Sequence, residues 1–117
     1  MPKPSPVSHL VFARANTGRS THLGMRLSSL IEPALGAPGC LNFALQQSLH
    51  DSEMWMVTGL WSSKEAMNAW FATPELGVFA ELVQEFIVSS LDFQTFQQVS
   101  AVQAEAECLQ PWQKMAG

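Results

Sequence analysis

The segment MWMVTGLW at residues 54–61 is built of β-forming and apolar residues at both of its alternating sets of positions. The two sets of side chains are Trp55, Val57, Trp61 and Met54, Met56, Leu60. Successive side chains of a strand point to opposite faces of the sheet, so a strand with water on one side is normally polar at every second position. This segment therefore predicts a strand that is covered on both faces.

The elements predicted along the chain follow the order β-α-β-β-α-β. VSHLVFARA at 7–15, CLNFALQQSL at 40–49 and LDFQTFQQV at 91–99 are the other predicted strands. Apolar residues at helical spacing predict one helix over about 20–35, and a second helical region follows residue 62 and extends to about residue 88. This order predicts a ferredoxin-like α+β fold, with an antiparallel four-stranded sheet and the helices on one face.

Local signals mark a turn and the starts of the later helices. Gly18 lies in the turn NTGRS, where glycine is available for a positive φ. The run Ser62-Ser63-Lys64-Glu65 predicts a capping box, in which a serine hydroxyl accepts a free amide N–H and Glu65 accepts the serine N–H. Thr73-Pro74 predicts a further start, with Thr73 as the cap and Pro74 in the first helical position.

The first strand is also apolar on both faces, so the side of the sheet without helices needs a cover. A second copy of the sheet is the simplest one, and the sequence therefore predicts a homodimer that forms a dimeric α/β barrel. We assign residues 1–6 to a flexible arm, 7–100 to the ferredoxin-like domain and 101–117 to a tail. Leu109 and Trp112 are the tail residues expected to clasp the partner subunit.

Charge and composition limit the kinds of partner that this chain is expected to bind. The net charge is −4, and basic residues are scarce after Lys64, so neither nucleic acid nor a membrane is an expected partner. Prolines near the start stand where a signal peptide needs an apolar stretch, which predicts a cytoplasmic protein. The two cysteines, Cys40 and Cys108, form neither a disulfide framework nor a metal-ligand pattern, and the histidines show no metal-ligand spacing.

Three stretches resemble the antibiotic biosynthesis monooxygenase (ABM) family of the dimeric α/β-barrel superfamily. They are Gly18 after the first strand, APGCLNF at 37–43, and Trp61 followed by SSKEAMNAW and FATPEL. The resemblance covers about residues 7–100 and implies a pocket between sheet and helices for a flat aromatic substrate. It also implies cofactor-free chemistry, in which a deprotonated phenolic substrate donates an electron to O2, so neither a metal nor another cofactor is expected.

Several positions depart from the family pattern. Trp70 and Glu75 stand where many members have histidine, and Gly59 stands where the third strand often has glutamate. Heme-degrading relatives have a tryptophan at the position of Trp70 and an axial histidine ten residues later, where this chain has Ala80. Since no histidine follows His50, heme degradation is the less favoured activity.

His9 is the candidate catalytic residue, because it is the one histidine placed on a predicted strand. A histidine among apolar strand neighbours is also typical of a core or interface position. The candidate substrate-binding residues are Trp70, Trp61, Trp55, Phe43, Asn16, Arg14 and Phe79. Core packing alone accounts for Trp55 and Trp61, since burying one indole removes about 150–250 Å² from water, and Arg14 can equally extend to solvent.

Two functions of different classes follow from these residues. The first is a cofactor-independent monooxygenase that acts on a quinol or anthrone. The second is a non-catalytic dimeric module that binds a small aromatic or apolar molecule in the same cavity. The loss of both frequent family histidines keeps the second function open beside the first.

Overall fold

The computed structural model describes residues 5–99 of the 117-residue chain. Its elements are β1 (Val7–Ala15), α1 (Ser20–Ser28), α2 (Ile31–Leu35), β2 (Cys40–Gln47), β3 (Met54–Trp61), α3 (Lys64–Phe71), a 3₁₀ turn (Pro74–Leu76), α4 (Gly77–Gln84) and β4 (Val88–Gln97). The predicted ferredoxin-like α+β fold is confirmed. The expected contacts of Leu109 and Trp112 lie outside the described residues.

The sheet has the strand order β2-β3-β1-β4, and every neighbouring pair is antiparallel. Along β1, the odd-numbered residues are buried under the helices, and the even-numbered ones are half-buried on the opposite face. The register places His9 directly opposite Gly59 on β3 and Thr95 on β4. The centre of the helix-covered face is therefore built from residues about 50 and 86 positions apart in sequence.

The helix predicted over 20–35 is two helices, because Pro33 cannot occupy the interior of a continuous one. A proline has no N–H to donate and its ring clashes with the carbonyl four residues earlier. The chain breaks at Ser29 and Leu30, which places Pro33 in the first turn of α2. The predicted 40–49 strand also ends earlier, at Gln47.

The last helix ends at Gln84 instead of residue 88, and β4 begins at Val88 instead of residue 91. Phe86 has a φ of 57°, in the left-handed region, and the Ile87 N–H donates to the Leu82 carbonyl. This is a Schellman-type helix end with phenylalanine at the position that glycine usually takes.

The two predicted helix starts are only partly confirmed. Ser63 is the cap of α3, and its hydroxyl accepts the Ala66 N–H at 3.1 Å. Glu65 is therefore the second residue of the helix, one position short of the reciprocal partner that a capping box needs. The Thr73 hydroxyl does not cap at all, since it donates backwards to the Trp70 carbonyl at 2.7 Å.

The face of the sheet without helices is apolar along its two central strands. Its large apolar side chains are Leu10, Phe12, Met54, Met56, Leu60 and Phe96. The outer strands present polar groups to the same face, Asn42 and Gln46 on β2 and Asp92 and Gln94 on β4. An apolar centre with a polar margin is the arrangement found in protein interfaces.

Candidate functional site

His9 lies at the centre of the helix-covered face, enclosed by aromatic rings. Its side chain is 2% exposed. The ring centroids of Phe71, Phe43 and Trp61 lie 5.0, 5.9 and 6.2 Å from that of the imidazole. Two strands, β2 and β3, and the helix α3 therefore contribute the rings that enclose the single titratable group on β1.

The Trp61 indole N–H donates to Nδ1 of His9 at 3.0 Å, in a buried hydrogen bond. An indole nitrogen can only donate, so Nδ1 must be the unprotonated nitrogen of the ring. The proton of the neutral imidazole is therefore on Nε2. This single bond selects the tautomer of His9, and no residue between 5 and 99 accepts a hydrogen bond from Nε2–H.

Gly59 is the reason that the imidazole fits beside Trp61. A Cβ built on Gly59 would lie 2.8 Å from the Trp61 indole nitrogen and 2.9 Å from Nδ1 of His9, and it would overlap Cε1 of the same ring. Side-chain carbons do not approach other atoms this closely in real structures. The histidine on β1 thus occupies the space that a side chain on β3 would take.

Burial lowers the pKa of His9 from 6.5 to about 4. Removal from water disfavours the charged imidazolium, and the aromatic neighbours offer it no counter-charge. His9 is consequently neutral at physiological pH. In that state it is a weak proton acceptor and remains a hydrogen-bond donor through Nε2.

The last turn of α3 carries the other large ring of this cluster, Trp70. Trp70 stacks on Trp61 with centroids 5.9 Å apart, and its edge-on contact with Phe43 is 5.8 Å. Four of the residues predicted from the sequence, His9, Phe43, Trp61 and Trp70, therefore come together. Phe71 was missed, although its place directly after Trp70 on a short amphipathic helix was a usable signal.

A cleft of about 260 Å³ lies between α3 and the β1–β4 side of the sheet. Its lining residues are Val7, Lys64, Met67, Thr95, Phe96 and Gln97. Thr95 is the direct cross-strand partner of His9. Val7 lies two residues before His9 on the same face of β1. The cleft thus borders the aromatic enclosure and places one ammonium, one hydroxyl and one amide at its walls.

The remaining predicted site residues lie elsewhere. Trp55 packs across Gly24 of α1 and donates to the Ser20 hydroxyl at 3.0 Å, four residues along β3 from Gly59. It borders two separate cavities of about 310 and 350 Å³. Phe79 of α4 packs edge-on against Phe93 at 5.0 Å.

Arg14 and Asn16 have structural partners. The Arg14 guanidinium forms an ion pair with Asp51 at 2.7 Å, on the face of the sheet away from His9. The pKa of Asp51 is lowered, first by the Glu53 backbone N–H and then by Arg14. The Asn16 amide donates to the Phe86 and Val88 carbonyls at 2.6 and 3.1 Å, which secures the α4–β4 connection.

Neither metal-ligand clusters nor membrane-spanning helices are found in the described part of the chain. Within residues 5–99, no three His, Cys, Asp or Glu side chains are grouped to hold a metal ion. No helix over the same residues combines the length and the apolar character that crossing a bilayer requires. Cys40 is a free thiol with a pKa raised by burial.

The sequence matches the family model described as antibiotic biosynthesis monooxygenase over residues 6–82. No curated protein matches it. PA3566 from Pseudomonas aeruginosa superimposes with a TM-score of 0.76, at 20% identity over 86% of this chain and 100% of that one. A variant of SnoaB from Streptomyces nogalater, a cofactor-independent oxygenase, gives 0.73 at 11% identity over 86% of this chain and 99% of that one. Rv0793 from Mycobacterium tuberculosis gives a TM-score of 0.69, at 20% identity over 88% of this chain and 100% of that one. These similarities establish the fold.

Proposed function

Because this chain belongs to the antibiotic biosynthesis monooxygenase family, we propose that it is a cofactor-independent monooxygenase acting on a quinol- or anthrone-type aromatic molecule. The observation that carries the proposal is the enclosure of His9 by Phe43, Trp61, Trp70 and Phe71, next to the cleft between α3 and β4. The enclosure is a tightly packed aromatic cluster around one buried polar group, and the adjoining cleft supplies the room for a small molecule.

The reaction balances without a cofactor. The ionised substrate gives one electron to O2, and the resulting carbon radical and superoxide combine to form a carbon–oxygen bond. Loss of water from the hydroperoxide leaves a carbonyl where an anthrone had a CH2 group. One oxygen atom enters the product, the other leaves as water, and the substrate itself supplies all the electrons. The site has to exclude water and stabilise the substrate oxyanion.

We expect the purified protein to accelerate O2 uptake with an anthrone or a hydroquinone. His9→Phe keeps a ring at this position but removes the donor, and removal of one such donor lowers kcat by about 100-fold. His50→Gln is the matched control, since His50 lies in the exposed turn between β2 and β3. O2 uptake equal to that without protein, or an undiminished rate in His9→Phe, contradicts the proposal.

A non-catalytic binding module is the second candidate. The occupied Nδ1 atom of His9 supports it, because the proton acceptor of the imidazole is already engaged by Trp61. Under this function the same cleft takes a flat aromatic molecule without turnover. Saturable binding of the anthrone with no excess O2 uptake would decide in its favour.

We also propose that the chain forms a homodimer through the helix-free face of the sheet. The support is the half-buried apolar centre formed by Leu10, Phe12, Met56 and Leu60 on a face that no helix covers, with polar groups on the outer strands around it. Two such faces pressed together would form the dimeric barrel expected for this family. Phe96, with 48% of its surface exposed, extends the apolar area onto β4.

Met56→Lys is expected to weaken this dimer at least tenfold, since an unpaired ammonium at the centre of an apolar interface loses its hydration. Sedimentation equilibrium over a dilution series measures the dissociation constant. Leu49→Lys is the control, because Leu49 is 95% exposed in the turn between β2 and β3. A wild-type protein that is monomeric at micromolar concentration refutes the dimer.

A further inference from the structure

We propose that Trp61 is a positioning residue that holds His9 as an Nε2–H donor, so that the site selects aromatic molecules that enter as oxyanions. His9 then stabilises the substrate anion and does not generate it. This inference rests on the proposed function for the location of the site. It goes beyond that function by naming the protonation state in which the substrate is bound.

The geometry leaves His9 little choice of tautomer. Exchange of the proton between its nitrogens would place two donors, Nδ1–H and the Trp61 N–H, only 3.0 Å apart. The Trp61 side chain is fully buried and stacked on Trp70, so it cannot rotate away without disturbing the core. A 180° flip of the imidazole would put a ring carbon in the place of Nδ1 and lose the hydrogen bond from Trp61.

Among residues 5–99, the surroundings of His9 contain no charged group that would favour an imidazolium. The side chains in ring contact with it are Phe43, Trp61 and Phe71, and its cross-strand partners are Gly59 and Thr95. None of these titrates. The charged residues of α3, Lys64 and Glu65, are exposed at its start, and Lys64 lines the adjoining cleft.

A comparison of pKa values also indicates that His9 does not deprotonate the substrate. A simple phenol has a pKa of about 10, whereas burial lowers the pKa of His9 to about 4. Proton transfer from such a phenol to His9 is therefore unfavourable by about a millionfold. A molecule that ionises near neutral pH avoids this step, because water takes its proton before it is bound. Phenols made acidic by electron-withdrawing ring substituents belong to this class.

The first test measures the tautomer without any substrate. In ¹⁵N NMR of the full chain, His9 is expected to carry its proton on Nε2 alone from pH 5.5 to 8. Trp61→Phe keeps an aromatic ring but has no N–H, so both tautomers should appear and the His9 pKa should shift upwards. His22 and His50 provide internal reference signals in the same spectra. A proton on Nδ1 in the wild-type protein overturns the proposal.

The second test uses 4-nitrophenol, a flat phenol that ionises near neutral pH and changes colour when it does so. The anion is expected to bind at least tenfold more tightly than the neutral form, so its pKa falls by one unit or more in the complex. This preference should shrink at least threefold in Trp61→Phe and persist in His50→Gln. Equal binding of both forms, or binding of neither, overturns the proposal.

These readouts separate the inference from the proposed function. Preferred binding of the anion without O2 uptake from any anthrone retains the inference and refutes the monooxygenase. With turnover, the pH profile of kcat/KM should move with the acidity of the substrate when two ring-substituted hydroquinones are compared. If instead one limb of the kcat/KM profile lies at the same pH for both substrates and disappears in His9→Gln, His9 is the base. That result refutes the inference and leaves the monooxygenase function standing.

Discussion

Trp61→Ala is expected to lower the free energy of unfolding by about 3–5 kcal/mol, the usual cost of removing a buried tryptophan. The Trp61 side chain is 0% exposed. It stacks on Trp70 and donates the buried hydrogen bond to His9, so its loss leaves both a cavity and an unpaired imidazole nitrogen. Urea denaturation at one fixed protein concentration measures the change, because the proposed dimer would make stability depend on concentration.

Trp55→Ala is the matched control on the same strand. Trp55 is half-buried against α1, and its indole N–H reaches the Ser20 hydroxyl near the protein surface. Water can replace that bond, so we expect a clearly smaller loss of stability than in Trp61→Ala. Equal losses for the two variants would show that the enclosure around His9 is not the main core of the domain.

Acid is expected to destabilise the protein through His9 well before the carboxylates protonate. His9 takes up its proton near pH 6.5 in the unfolded chain but only near pH 4 in the folded one. The unfolded state therefore binds the extra proton as the pH falls from 6.5 towards 4, and stability is lost across that window. At pH 5 the expected loss is about 2 kcal/mol, from about 1.4 kcal/mol per pH unit.

His9→Gln isolates this effect. Its amide oxygen can accept the Trp61 N–H, but the side chain does not titrate. Denaturation midpoints between pH 5 and 7 should therefore lose most of their slope in His9→Gln. Asp51 does not interfere, because its pKa is lowered and its contribution is lost only at a pH below this window. An unchanged slope in the variant would contradict the assignment to His9.

The stability loss in Trp61→Ala and the acid sensitivity through His9 concern the same cluster of residues. This cluster belongs to the hydrophobic core and also adjoins the candidate binding cleft. Phe43, Trp61 and Trp70 of the cluster around His9 are also members of the buried apolar core of the domain. Under the proposed function, a ligand that reaches His9 meets a rigid donor whose orientation is already set by folding.

The order of the elements and most of their bounds could be read from local patterns. Runs of β-forming residues bounded by turn signals located β1 and β3 to the residue, and the positive φ available to Gly18 is 81°. The errors arose where one local rule competed with another. Pro33 split a stripe that looked continuous, and Phe86 ended α4 without a glycine to announce it.

The candidate site was recovered less completely. His9, Phe43, Trp61 and Trp70 were identified as members, but Trp55, Phe79, Arg14 and Asn16 lie outside the enclosure. Aromatic residues of core and pocket look alike in a sequence, and nothing local separates Trp61 from Trp55. The role of Gly59 was also unreadable, since a missing side chain has meaning only beside the group that fills its space.

Periodicity and turn chemistry act between near neighbours, and they were sufficient to specify a two-faced sheet, its helices and the need for a cover. The pairing of His9 with Gly59 and Trp61 joins residues 50 and 52 positions apart, and it exists only once β1 and β3 are in register. The tautomer and the lowered pKa of His9 follow from that contact and from burial. These are properties of the packed domain, because hydrogen-bond partners and solvent exposure are set by atoms that the chain brings together only on folding.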